Sequence, residues 1–124
     1  MQKNKVFVYG TLKKDNSTRG LNLWSDATYV GDAVTHDQFN LWDMGSFPAV
    51  TLKGNASISG EVWEVSDEVF ESLDRIEGYP EFYERTEIET AYGKAWMYYI
   101  PDIEPYYRAE LIEPFNNTAS WRAQ

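Results

Sequence analysis

The sequence contains no cysteine and a single histidine, His36. The first absence removes disulfides, thiolate metal sites and cysteine nucleophiles together. The second argues against a histidine-rich metal centre and leaves a Ser-His-Asp triad only one available base. Positive charge is scarce: 11 Lys and Arg stand against 20 Asp and Glu, for a net charge of −9. A surface of that sign repels phosphate backbones, so nucleic-acid binding is not expected. Long apolar runs are missing too. The stretch Val6-Phe7-Val8-Tyr9 is too short for a membrane span or a signal-peptide core, and a cytoplasmic protein without membrane association is expected. Repeats and low-complexity tracts are also absent. At 124 residues the chain suits one domain, placed over residues 1–113 with a C-terminal tail over 114–124. Carboxylates, aromatics, hydroxyls and backbone amides remain as the available chemistry, and neither a metal nor a cofactor is expected. The composition is silent on protein partners.

The pattern of what is present predicts an α+β fold. Val6–Tyr9 reads as a buried strand that ends at Gly10-Thr11. Residues 13–26 read as a polar loop with a short helix at most, anchored by Leu21, Leu23 and Trp24. Ala27–Ala33 reads as a strand with a bend or bulge at Gly31-Asp32. Gln38–Trp42 and Ala49–Leu52 read as short strands, with a turn at Gly54-Asn55 before a further strand over 59–65. One helix follows. Ser66 is a good N-cap, Asp67 and Glu68 complement the helix dipole, and Val69, Leu73 and Ile76 form an apolar stripe with Phe70 beside it. Gly78 and Pro80 stop the helix. Tyr83–Glu89 and Lys94–Ile100 read as a hairpin joined through Tyr92-Gly93. Tyr106–Ile112 reads as a short helix, and the last eight or so residues as loosely held.

One residue is out of place in this pattern. Glu77 lies four residues after Leu73 and so projects from the helix's apolar face, in its last turn. Desolvation and the negative end of the helix dipole both disfavour a carboxylate there and push it towards the range of a general base near neutral pH. The ordinary alternative is a helix-end glutamate pointing into solvent. A second feature is Val8-Tyr9-Gly10-Thr11-Leu12, where a strand breaks at a glycine and successive N–H groups can converge on a small anion. The competing reading is a plain strand-to-loop turn. Tyr9, Tyr83 and Tyr98 are candidates to present hydroxyls to a pocket, although aromatics in strands are usually core. His36 reads as a surface residue, and Arg75 and Arg85 each read as a surface or ion-pairing residue.

Four blocks taken in order carry a family resemblance. They are Val6–Leu12, Gly45–Val50, Gly60–Val65, and Leu73–Pro80 followed by Tyr83-Glu84-Arg85. Together they resemble the γ-glutamylcyclotransferase-like family, closest to its γ-glutamylamine cyclotransferase branch, from about Val6 to Ile100. The resemblance implies a small mixed β-barrel-like sheet flanked by helices, with a polar cavity on one side. It implies that the backbone of Tyr9, Gly10, Thr11 and Leu12 holds the α-carboxylate of a γ-glutamyl substrate, and that Tyr83 and Tyr98 line the pocket. The family's catalytic glutamate corresponds to Glu77. Thr11 stands where one branch has serine, which keeps the hydroxyl and adds a methyl group.

The implied reaction is attack of a γ-glutamyl group's own α-amine on its γ-carbonyl, which releases 5-oxoproline and the free amine without a cofactor. A non-catalytic protein that sequesters a small molecule in the same pocket is the alternative. Retention of Glu77 favours the enzyme, because a pure carboxylate binder gains by losing that charge.

Overall fold

The computed structural model describes residues 3–10, 27–36, 38–45, 47–106 and 108–121. Thr11, Leu12, Trp24 and the predicted 13–26 loop lie outside the described residues. The described chain is a mixed sheet of eight strands with one α-helix. Of the flanking helices expected, that single helix is the one found among the described residues. No described helix is long and apolar enough to cross a membrane.

Strand β1 (Lys3–Val8) lies inside the sheet, antiparallel to β4 (Pro48–Ser66) and parallel to β6 (Gly93–Tyr99). Its unbroken Val6-Phe7-Val8 run reflects burial on both faces. Phe7 packs into one core with Leu41, Ile58 and Met97, while Val6 and Val8 face a second core under the helix. Strand β2 (Ala27–Val34) pairs with the other edge of β4, and the register slips between Tyr29 and Gly31, next to the predicted bulge. Strands β5 (Glu84–Thr90) and β6 form the expected hairpin, with Thr90 opposite Gly93. The Ile100 N–H donates to the Val50 carbonyl at 2.9 Å, so the chain leaving β6 meets the first half of β4.

Three sequence expectations need correction here. The predicted turn at Gly54-Asn55 is instead part of β4, one continuous strand of 19 residues. Strand β3 (Phe39–Asp43) pairs Asn40 with Thr51 but Phe39 with Ala56, so the residues between are absorbed as a register shift. The local break signal is real, but long-range pairing on both sides keeps the chain extended. The predicted helix over Tyr106–Ile112 is also absent. Turns at Ile103–Tyr106 and Tyr106–Ala109 lead into β7 (Glu110–Leu111), which pairs with the free edge of β3. An open sheet edge offers backbone partners that a short, proline-preceded segment cannot supply for itself. Nor is the end of the chain loosely held up to Trp121. Strand β8 (Thr118–Ala119) runs parallel to β4 at Ser57 and Ile58, and Ala119 and Trp121 are buried in the core of Phe7 and Leu41. The polar average of that segment conceals two apolar anchors.

Helix α1 (Asp67–Glu77) begins where β4 ends. The Ser66 hydroxyl accepts from the Val69 N–H at 3.2 Å, as an N-cap does. Gly78 closes the helix at φ 69° and ψ 36°, the left-handed conformation that glycine adopts without a Cβ penalty, and the Tyr79 N–H returns to the Asp74 carbonyl at 2.9 Å. Val69 and Leu73 are buried as predicted, but Ile76 is 48% exposed. The stripe is therefore shorter than its spacing implied: the last turn runs past the sheet and overhangs a cleft.

The indole of Trp121 is buried. Trp121→Ala should lower stability by about 3 kcal/mol, the usual cost of emptying a large core site, as read by urea unfolding. A loss below about 0.5 kcal/mol would mean that this segment does not belong to the core.

Candidate active site

The cleft under that last turn has a volume of about 160 Å³. Its walls come from five places in the chain: the end of β1 through Gly10, Phe47-Pro48 at the start of β4, Ile76-Glu77, Phe82-Tyr83, and Tyr98 of β6. Of the predicted site residues, Tyr9, Gly10, Glu77, Tyr83 and Tyr98 therefore share one cavity. Thr11 and Leu12, whose amides were to complete the anion nest, lie outside the described residues. Glycine at position 10 is a packing requirement: a Cβ there would come within 2.5 Å of the Pro48 side chain.

The three tyrosines are held in one way. Tyr9 Oη donates to the Tyr98 carbonyl at 2.7 Å, Tyr83 Oη to the Pro48 carbonyl at 2.5 Å, and Tyr98 Oη to Asp74 Oδ1 at 2.6 Å. Each phenol spends its only proton on the protein, which satisfies a buried group and fixes its ring. Burial is the main reason that all three resist ionisation. For Tyr9, the charges of Tyr83 and Glu77 add to burial, and a backbone hydrogen bond from Val50 opposes them. For Tyr83, Glu77 and then Tyr106 push the same way. For Tyr98, the Asp74 hydrogen bond and charge come next, then Glu77, with Arg85 opposing. The Glu77 carboxylate thus acts on all three phenols. Glu77 is half-buried, as befits a helix-end residue that leans over a cavity.

Behind Tyr98 stands a pair that sequence reasoning did not assign to the site. Arg85 Nη1 contacts both oxygens of Asp74, at 3.0 and 2.9 Å. The Arg85 guanidinium lies 4.4 Å from the ring centroids of Phe70 and Tyr79 and 5.1 Å from that of Trp96. Arg85 as an ion-pairing residue agrees with its sequence reading. Asp74 was missed, yet two signals pointed to it: it precedes Glu77 by one helical turn, and Arg85 pairs directly with Tyr98 across the hairpin. Pro48, Phe47 and Phe82 were also not predicted as walls.

Beyond the first cleft lies a second depression of about 280 Å³, formed by Met44, Phe47, Phe82, Pro105, Tyr106, Arg108 and Ala109. Phe47 and Phe82 belong to both, and their rings meet edge-on at 5.9 Å. Among the described residues, no three His, Asp or Glu side chains gather as a metal ion would need.

Residues 6–123 match the family model described as gamma-glutamyl cyclotransferase, AIG2-like. The chain belongs to that family. The gamma-glutamylcyclotransferase family protein YtfP of Escherichia coli is 33% identical over 95 residues, which cover 76% of this chain and 80% of that protein. The gamma-glutamylaminecyclotransferase of Rattus norvegicus is 33% identical over 92 residues, covering 68% of this chain and 61% of its own. The fold is shared with an AIG2-like protein from Mus musculus, at a TM-score of 0.77 and 22% identity over 100% of this chain and 99% of that one. Family membership makes this chain a cyclotransferase-type enzyme, and the family acts on small γ-glutamyl molecules.

The buried phenols carry a pH prediction. An ordinary tyrosine ionises near about pH 10, and all three here are raised above that value. The folded state therefore keeps protons that the unfolded state has lost, so stability falls as pH rises. Their contribution is complete below about pH 10 and is lost as the pH rises beyond it, by on the order of 1 kcal/mol per phenol for each pH unit. Thermal unfolding followed from pH 8 to 11 should show this decline. Three site phenols that titrate near pH 10 in the folded protein would contradict it.

Proposed function

We propose that the enzyme cyclises γ-glutamyl amines or peptides, releasing 5-oxoproline and the free amine, with Glu77 as the proton carrier. The α-nitrogen attacks the γ-carbonyl carbon, the new carbon–nitrogen bond closes a five-membered ring, and the original amide bond breaks. The α-ammonium gives up two protons in this sequence, and the leaving nitrogen needs two to depart as an ammonium. Glu77 carries these two protons one after the other, taking each from the attacking nitrogen and delivering it to the leaving nitrogen, so the carboxylate ends as it began and proton balance is kept. Backbone amides at Gly10 and Thr11 are assigned to the substrate carboxylate and to the charge that develops on the carbonyl oxygen. Enforced orientation of a flexible glutamyl chain supplies much of the remaining acceleration.

The observation that carries this reading is the lining of the cleft: the Glu77 carboxylate shares it with three phenols whose protons are already committed to the protein. It supports a site that tolerates a cation or a transferable proton beside Glu77. The apolar second depression, reached past Phe47 and Phe82, supports a place for the amine half of the substrate.

Glu77→Gln should lower kcat about 10²- to 10⁴-fold, the usual contribution of a positioned base, as measured by 5-oxoproline release from a panel of γ-glutamyl amines. Wild-type kcat/KM should fall about tenfold per pH unit below the ionisation of Glu77. Full activity in the variant, or a flat profile down to about pH 4, would remove Glu77 from the mechanism. Across the panel, each added methylene on the leaving amine should raise kcat/KM about fourfold, from roughly 0.8 kcal/mol per buried CH₂. Indifference to amine length would contradict the assignment of the second depression. Saturable binding without turnover would point to a sequestering protein.

A further inference from the structure

We propose that Asp74 and Arg85 are positioning residues that fix the hydrogen-bonding direction of Tyr98, so that its phenol oxygen faces the cleft as an acceptor for the substrate's α-ammonium. This rests on the cyclisation reading above and adds two residues and a polarity to it. The Arg85 guanidinium cannot lose its proton in a protein and offers only donors. Held between Phe70 and Tyr79 with Trp96 nearby, it has little room to turn, and the side chain is 21% exposed. It contacts both Asp74 oxygens, at 3.0 and 2.9 Å, and so faces the carboxylate with donors alone, which both oxygens can only accept. The Tyr98 hydroxyl, 2.6 Å from Asp74 Oδ1, must then be the donor.

A hydroxyl has one proton and two acceptor sites. With its proton committed to Asp74, Tyr98 has only lone pairs left for the cleft. Donation to a carboxylate also polarises the phenol and strengthens it as an acceptor. Tyr83 is in the same state, because its proton goes to the Pro48 carbonyl. Tyr83, Tyr98 and the nearby Glu77 carboxylate thus form a surface that receives N–H donors. That is the polarity an attacking ammonium needs, and it is unfavourable for a carboxylate. Neither Asp74 nor Arg85 lines the cleft, so both act through the Tyr98 hydroxyl that Asp74 holds.

Asp74→Asn separates this role from a purely structural one. The asparagine oxygen can keep Arg85 while its NH₂ donates to Tyr98, which turns the phenol proton towards the cleft. Asp74→Asn and Tyr98→Phe should each lower kcat/KM about tenfold or more. The double variant should be no worse than the poorer single variant, because both changes remove the same acceptor. A second readout is independent of turnover: the ratio of affinities for L-norleucine and hexanoate, which differ only in the α-ammonium. Wild type should favour norleucine, and either variant should reduce the ratio several-fold. Arg85→Lys, which trades the fork for a point charge, should give a smaller loss that disappears in the Tyr98→Phe background. It carries the test if Asp74→Asn does not fold. Losses that multiply in the double variant, or an Asp74→Asn protein with unchanged ratio and kcat/KM, would overturn the proposal. Absence of 5-oxoproline release by the wild type would instead overturn the reading of the activity, and the affinity ratios would still decide the role of Asp74.

Discussion

Strand β4 couples most of the molecule. It pairs with β1, β2, β3 and β8 along its 19 residues, and its last residue, Ser66, caps α1. Pro48 at its beginning packs against Gly10, and its carbonyl accepts the Tyr83 hydroxyl. The helix that starts at its end carries Glu77. One rigid strand therefore ties together the floor of the cleft and the carboxylate that overhangs it. A site built this way has its geometry set by sheet pairing and needs few residues of its own.

The second constraint is that buried hydroxyls must be satisfied. Tyr9, Tyr83 and Tyr98 could have bonded to a ligand, but all three bond to the protein instead. This holds the rings in place in the absence of substrate and leaves only acceptor capacity beside Glu77. The protein's net charge of −9 plays no evident part. A small anionic substrate is not drawn to such a surface, so the proposed function assigns recognition to local groups: amides at the end of β1 for the carboxylate, and phenol oxygens with Glu77 for the ammonium.

The sequence made visible those features that depend on local spacing. Glu77 stood out because four residues from Leu73 is one helical turn, and the hairpin followed from the glycine at its loop. It was less informative wherever a distant partner decided the outcome. Gly54-Asn55 looks like a turn, but β3 and β2 hold the chain extended on either side. Tyr106–Ile112 has helical content yet follows the β3 edge, and the polar stretch after Glu113 hides Ala119 and Trp121. Asp74 is an ordinary helix acid until Arg85 and Tyr98 are known to lie side by side across the hairpin. The family blocks contain Tyr9, Gly10, Glu77 and Tyr83, which line the cleft, but do not reveal where the phenol protons go, which is a property of carbonyl and carboxylate partners elsewhere in the chain.

The account depends most on Glu77 being the group whose ionisation limits turnover. The direct measurement is a carbon-detected NMR titration of the Glu77 side-chain carboxyl, set beside the pH dependence of kcat/KM for one γ-glutamyl amine. The account predicts a single apparent pKa shared by the resonance and the acidic limb of the rate profile. A Glu77 carboxyl that titrates at a pH where the rate does not change would contradict it.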